Sequence, residues 1–462
     1  MGELSVRGSA CASAVALLLS ACGLHRPAPD VPIDRLEVSA AAERIAQSSA
    51  RAPDVAWERL VELAQGTPAR ITGSAALDDA LAWAALKMRG DGLDDVRLEP
   101  VDVPHWVRGQ EHARIVRPVR RSLAVLALGG SVGTHGALRA PIVAFESFDE
   151  LKSSAARLDG TIAFVNHRMA PFDDETDDPG YRVGVQARLH AASEAAKRGA
   201  LAVVVRSVTA ITSPLPHAGA LAYDDGVPKI PAAAVSTEDA DVLAELARRG
   251  PVEIELSLGA RTLPDVPSAN VVGELGGRER PDEIVLLGAH IDSWDVGPGA
   301  SDDGAGCVAV MEAVRLLHDA GLVPRRTIRA VLFTSEEYLE AGAKAYRERH
   351  GREHHVAAFE TDYGMAAPDA IGVGNEKTVR ALAPLLPVFE RFGIRRFRPH
   401  AFGADVRPIV EAGAAAFDLE PDGHHYFDIH HTAADTLEQV RPEDLRQNAA
   451  AIALLAYLLA ER

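Results

Sequence analysis

Ile284-Val285-Leu286-Leu287-Gly288-Ala289-His290-Ile291-Asp292-Ser293-Trp294-Asp295 is the stretch on which the reading of this chain turns. Ile284 to Gly288 reads as a strand, and it runs out into a histidine and an aspartate two residues apart. Side chains at that spacing on a strand point the same way. His290 can therefore bind a metal, while Asp292 can hold the ring's other nitrogen and fix its tautomer.

Outward from that stretch, Ser268 to the C-terminus alternates strand and helix. Strands are expected at Ile284 to Gly288, Thr327 to Phe333, Val356 to Glu360, Ala370 to Val373 and Ala414 to Leu419. Helices are expected at Gly304 to Ala320, Ala343 to Glu348, Lys377 to Phe392 and Pro442 to Ala460. The pattern is that of an α/β domain, a mixed and mostly parallel sheet covered by helices on both faces. Such sheets place ligands at the C-terminal ends of their strands.

Four more polar clusters fall at those ends or in loops. Gly297-Pro298-Gly299-Ala300-Ser301-Asp302-Asp303-Gly304 leads into a helix. A helix N-cap suits Asp303, but it does not explain a second aspartate beside it. Asp302 could bridge two cations, one on each oxygen. The strand ending at Phe333 continues into Glu336-Glu337, two acids whose burial is costly unless something positive compensates. One can be a metal ligand while the other takes a proton from water. Asp362 follows the strand that ends at Glu360, and Phe427-Asp428-Ile429-His430-His431-Thr432 offers a late histidine in a loop. Two histidines, three carboxylates and a spare glutamate match what two zinc ions sharing one carboxylate require, in a pair about 3.5–4 Å apart.

The rest of the chain frames this domain. The opening section is helical from about Val38 to Leu86, followed by a strand at Val96 to Val103, and shows no obvious chemistry. Residues 116–262 change character to short β-rich runs, with a β-α-β unit at Asp159 to Val205, and read as an inserted domain between an N-terminal piece at 37–115 and a C-terminal piece at 263–462. Its histidines His167 and His217 read as solvated or packed. At the N-terminus, Ala10 to Ala21 is an apolar run of signal-peptide length ending in Leu19-Ser20-Ala21-Cys22, which resembles a bacterial lipobox with Cys22 as the lipidated residue. Residues 22–36 then read as a Pro-rich tether. An exported protein is expected, touching membrane only through that anchor. The net charge of -18 over 462 residues argues against a nucleic-acid partner. Of three cysteines, Cys307 alone lies in the folded body, so no disulfide framework is possible there.

At the clusters above the chain resembles the zinc aminopeptidase family that includes carboxypeptidase Q. His290 to Gly297, Asp302-Asp303-Gly304, Glu336-Glu337 and His431-Thr432 through Asp435-Thr436 follow that family's pattern in order. Gly226 to Pro231 and Ala195 to Ser207 look like its protease-associated domain. The resemblance implies that His290 and Asp362 hold one zinc, Glu337 and His431 the other, and Asp302 bridges them. Glu336 would be the general base, with Asp292 supporting His290. His430 competes with His431, which is favoured because it precedes Thr432. Hydrolysis of dipeptides or short peptides, and a homodimer, are implied as well. Tyr338 to Gly342 and Ala433-Ala434 depart from the pattern beside the site, where they bear on substrate preference. Tyr426 and His425 are candidates to line the substrate pocket. Two alternatives stand against a dipeptidase: a broad aminopeptidase acting on longer peptides, and a non-catalytic lipoprotein with a peptidase-like fold. Single-zinc glutaminyl cyclase shares the fold, but the full ligand set argues against it.

Overall fold

A computed structural model describes residues 35–176 and 178–462. The signal segment, Cys22 and most of the 22–36 tether lie outside the described residues.

The strand that carries the opening stretch runs Arg280–His290 and sits inside an eight-stranded sheet. Across the sheet the order is Asp94–Val107, Arg261–Leu275, Arg326–Phe333, Arg280–His290, His354–Glu360, Ala415–Glu420, Ala370–Gly372 and Arg396–Arg398. The four strands from Arg326–Phe333 to Ala415–Glu420 are parallel to one another. The two N-terminal edge strands and Ala370–Gly372 run antiparallel to their neighbours towards the centre, which makes the sheet mixed.

Alternation along the central strand divides the core in two. Val285, Leu287 and Ala289 join the larger apolar cluster on one face, while Leu286 joins a smaller one on the other. The larger face is covered by the helices Arg35–Arg51, Val55–Gly66, Ala75–Gly90, Ala305–Asp319 and Pro442–Glu461. The last of these begins with Pro442 and has Glu443 and Asp444 in its first turn, where a missing N–H and negative charge both suit a helix start. Ala305–Asp319 is buried from Ala305 through Leu317, as befits a helix between the sheet and an outer helix. Ala341–His350 and Arg407–Glu411 cover the opposite face. The expected single helix Lys377 to Phe392 is instead a broken run of short turns, since Pro384 and Pro387 each remove a backbone donor.

The chain leaves this sheet after Val107 and returns at Arg261. Between them a second eight-stranded sheet forms, in the order Arg121–Leu123, Glu111–Arg117, Glu253–Leu258, Leu138–Phe145, Ile162–Val165, Ala202–Arg206, Ala232–Val235 and Val125–Ala127. Glu111–Arg117 pairs wholly within this second sheet, and Arg261–Leu275 wholly within the first. The crossings therefore fall near 108–110 and 259–260, a few residues before the boundaries expected from composition. The helix Tyr181–Ala196 packs on one face of the second sheet. Trp294, from the loop after His290, is inserted into the core on its other face. Gly129 makes room for it, since a Cβ there would lie 2.2 Å from the indole. Among the described residues no helix is long and apolar enough to cross a membrane.

Candidate metal centre

Parallel pairing brings three of the clusters to one edge of the sheet. His290 is level with Phe333, and Gly288 with Glu360. The residues that follow each strand, among them Glu336, Glu337 and Asp362, therefore emerge side by side. His290 Nε2 lies 3.0 Å from Asp362 Oδ1 and 3.2 Å from Asp302 Oδ1. His431 Nε2 lies 2.9 Å from Glu337 Oε2 and 3.4 Å from Asp302 Oδ2. All five expected ligands thus converge on one place. His430 Nε2 is also near, 3.6 Å from Asp302 Oδ2, with its ring stacked on that of His431 at 3.5 Å between centroids.

Buried hydrogen bonds hold the loops that carry these groups. Asp435 accepts from the N–H of Ser301 at 2.7 Å and of Asp302 at 3.1 Å, fixing the Asp302 loop. Asp303 does not cap the following helix, whose N-terminus has no side-chain cap. Its carboxylate accepts from the backbone N–H of His290 at 3.0 Å instead, tying loop to strand end. Arg70 is fully buried and donates to the carbonyls of Ile291 (2.8 Å), Pro298 (2.7 Å) and Gly299 (2.9 Å). One guanidinium from the opening helical section therefore clamps both ends of the loop between His290 and Asp302. Gly299 is required in that loop: its φ is +58°, and a Cβ would lie 2.4 Å from that of Ser293.

Asp292 has a different task from the one expected. Its carboxylate is 3.9 Å from His290 Nδ1, too far for a hydrogen bond, and the ring nitrogen faces the Asp292 carbonyl oxygen at 3.1 Å. The strand ends at His290, so strand alternation no longer sets where residue 292 points. Oδ1 instead accepts from the N–H of Glu336 at 3.0 Å, and Oδ2 from the N–H of Glu337 at 3.3 Å and the hydroxyl of Thr72 at 3.0 Å. Asp292 thus holds the backbone of the glutamate pair.

The electrostatics call for positive charge. Burial, then neighbouring carboxylates, push Glu336 and Glu337 well above the ordinary glutamate range. At His290 burial opposes the charged form, but Asp362 and Asp302 outweigh it and hold the imidazole well above its usual value. His431 goes the other way, lowered to about 3 by burial and by Arg188. Among the described residues, Asp302 Oδ2 is buried with no hydrogen-bond partner, although two imidazoles face it. Imidazole nitrogens and carboxylate oxygens form a donor set that zinc accepts. The residues present therefore fit a bound metal.

Residues 270–456 match the family model described as Peptidase family M28. Human carboxypeptidase Q is 36% identical over 416 residues, 89% of this chain and 86% of that protein. The chain belongs to peptidase family M28. A crystal structure of a Peptidase M28 precursor from Shewanella amazonensis SB2B superposes with a TM-score of 0.88 at 36% identity, covering 93% of this chain and 98% of that one. The zinc aminopeptidase BSAP from Bacillus subtilis has the same fold, with a TM-score of 0.65 at 21% identity over 89% of this chain and 95% of that one. Membership of the M28 family makes this chain a zinc-dependent metallopeptidase.

The two substrate-pocket candidates part company in the structure. Tyr426 is buried and packs against His430, with 5.1 Å between ring centroids. The His425 side chain is 92% exposed and pairs with Asp428, away from the acid cluster. Residues that motif reading passed over include Arg70 and Thr72, in the connection between the helices Val55–Gly66 and Ala75–Gly90, and Arg188 and Ala218 in the second-sheet unit. His217 is packed as expected, fully buried beside that same unit's contact with His431.

Proposed function

We propose that this chain hydrolyses dipeptides and other short peptides at a centre of two zinc ions. His290 and Asp362 would hold one ion and Glu337 and His431 the other, with Asp302 shared. The reading rests on one observation above the rest: the two oxygens of Asp302 face two different imidazoles, Oδ1 towards His290 and Oδ2 towards His431. Bound zinc supplies Lewis-acid polarisation of the scissile carbonyl and lowers the pKa of water towards neutrality.

Glu336 carries the proton. It is half-buried beside Asp362, and its backbone is held by Asp292. A carboxylate beside the metal-binding groups is placed to take a proton from the attacking water and return it to the leaving amine. Asp302, Glu337 and Asp362 supply the negative charge that draws cations into the site, and Arg70 and Asp435 keep the Asp302 loop in place.

Likeness to carboxypeptidase Q supports short peptides as substrates. The same likeness supports reading the second-sheet unit as a protease-associated domain, and the lipobox pattern supports export with an anchor at Cys22. Glu336→Gln tests the mechanism. Turnover of a dipeptide library should fall by about 10²–10⁴-fold while zinc content stays at the wild-type level. Retained activity would remove Glu336 from the role. Faster cleavage of tetrapeptides than of dipeptides by the wild type would favour a broad aminopeptidase instead.

A further inference from the structure

Arg188 belongs to the second-sheet unit yet reaches the back of His431. It lies on the helix Tyr181–Ala196 and is only 7% exposed. Its Nη1 is 3.4 Å from His431 Nδ1 and 3.5 Å from the carbonyl oxygen of Ala218. Its Nη2 donates to the Tyr181 hydroxyl at 2.8 Å, and the Tyr181 ring stacks on Phe427 with centroids 4.3 Å apart. The guanidinium occupies a space that the backbone leaves open: a Cβ on Gly219 would lie 2.4 Å from its Cζ. Ala218 meets His431 twice, its N–H donating to the His431 carbonyl at 2.8 Å and its own carbonyl lying 3.3 Å from Nδ1.

These contacts select a tautomer. His431 Nε2 faces Glu337 and Asp302, so it must keep its lone pair free if it is to bind a cation. The ring proton then sits on Nδ1 and is donated to the Ala218 carbonyl. Arg188 cannot donate to a protonated Nδ1, so its Nη1–H turns to the same carbonyl, whose two lone pairs accommodate both donors. A ligand histidine whose second nitrogen donates to a fixed acceptor is a better ligand than a free one.

We propose that Arg188 is a positioning residue: with Ala218 it fixes the tautomer and orientation of His431, so that the second-sheet unit sets how tightly one of the two ions is held. This rests on the two-zinc reading above. It gives that unit a part in assembling the metal centre, beyond any role in admitting substrate.

Competition for zinc between a chelator and the full-length holoenzyme tests the proposal. Two ions should leave the wild type in separable steps. In Arg188→Met one step should weaken by about 10–100-fold while the other stays in place, and Arg188→Lys should recover part of the loss. The metal-free thermal midpoint and circular dichroism report whether each variant folds. Tyr181→Phe removes only the hydroxyl that holds Nη2, and it should shift the same step in the same direction by less. It carries the test alone if Arg188→Met fails to fold. Wild-type affinity for both ions in the folded variants, or a tightened step, would overturn the proposal. A wild-type chain that takes up a single ion would overturn the two-zinc reading itself.

Discussion

The carboxylate of Asp292 accepts a hydrogen bond from the backbone N–H of Glu336 at 3.0 Å. Position 292 thus governs where Glu336 sits, and it is the carbonyl of the same residue that faces the ring nitrogen of His290. Asp292→Asn keeps one oxygen acceptor but replaces the other with a donor that faces an N–H. The glutamate pair should move by a fraction of an ångström, lowering kcat by about 10²-fold with zinc content unchanged. Loss of one zinc equivalent would return Asp292 to the role of supporting His290.

His430 and His431 can be separated by metal content. Both approach Asp302, but His431 alone of the two also meets Glu337, at 2.9 Å. His431→Asn should bind one zinc ion fewer than the wild type and lose turnover. His430→Asn should keep both ions, with its effect confined to kinetics through the stacked ring and Tyr426. The opposite result would make His430 the ligand. Metal analysis of the two purified variants decides it.

Much of the centre was legible in the chain because its groups follow apolar strand runs. His290, Glu336, Glu337 and Asp362 each stand just past a run that reads as a buried strand, and Asp302 sits in a glycine-rich loop next in sequence. What escaped was set by tertiary contact. Nothing in the helical opening section marks Arg70 as the clamp of the loop between Ile291 and Gly299. The carboxylate of Asp292 follows hydrogen-bond partners from Thr72 and the Glu336 loop, which are far away in sequence. The first half of Arg261–Leu275 carries Pro264 and Pro267 and did not read as a strand. It pairs on one side only, with Asp94–Val107, and the neighbouring central strand begins pairing at Val271, so the missing donors are tolerated at an edge.

Stability should depend on acid through Glu99, away from the centre. Burial raises its carboxyl, but the donors His350, Arg349 and Arg97 outweigh it and bring it from 4.5, the ordinary value, to about 2. The bond to His350 Nε2 is 2.9 Å and that to Arg349 Nη1 is 3.0 Å. A folded-state value below the unfolded one contributes stability above about pH 4.5, and the contribution is lost as pH falls towards 2. The wild type should therefore be more stable than Glu99→Gln at pH 7, and the two should converge over that acid range. Urea unfolding of both proteins without metal, so that zinc release plays no part, measures the difference. A gap that stays constant down to pH 2 would exclude Glu99 as the source.

The most direct measurement is an anomalous difference map collected at the zinc absorption edge from crystals of the zinc-loaded protein. Two peaks about 3.5–4 Å apart are expected on either side of Asp302, one beside His290 and Asp362 and the other beside His431 and Glu337. A single peak, or a second peak bound elsewhere with Glu337 and His431 left bare, would contradict the two-zinc centre.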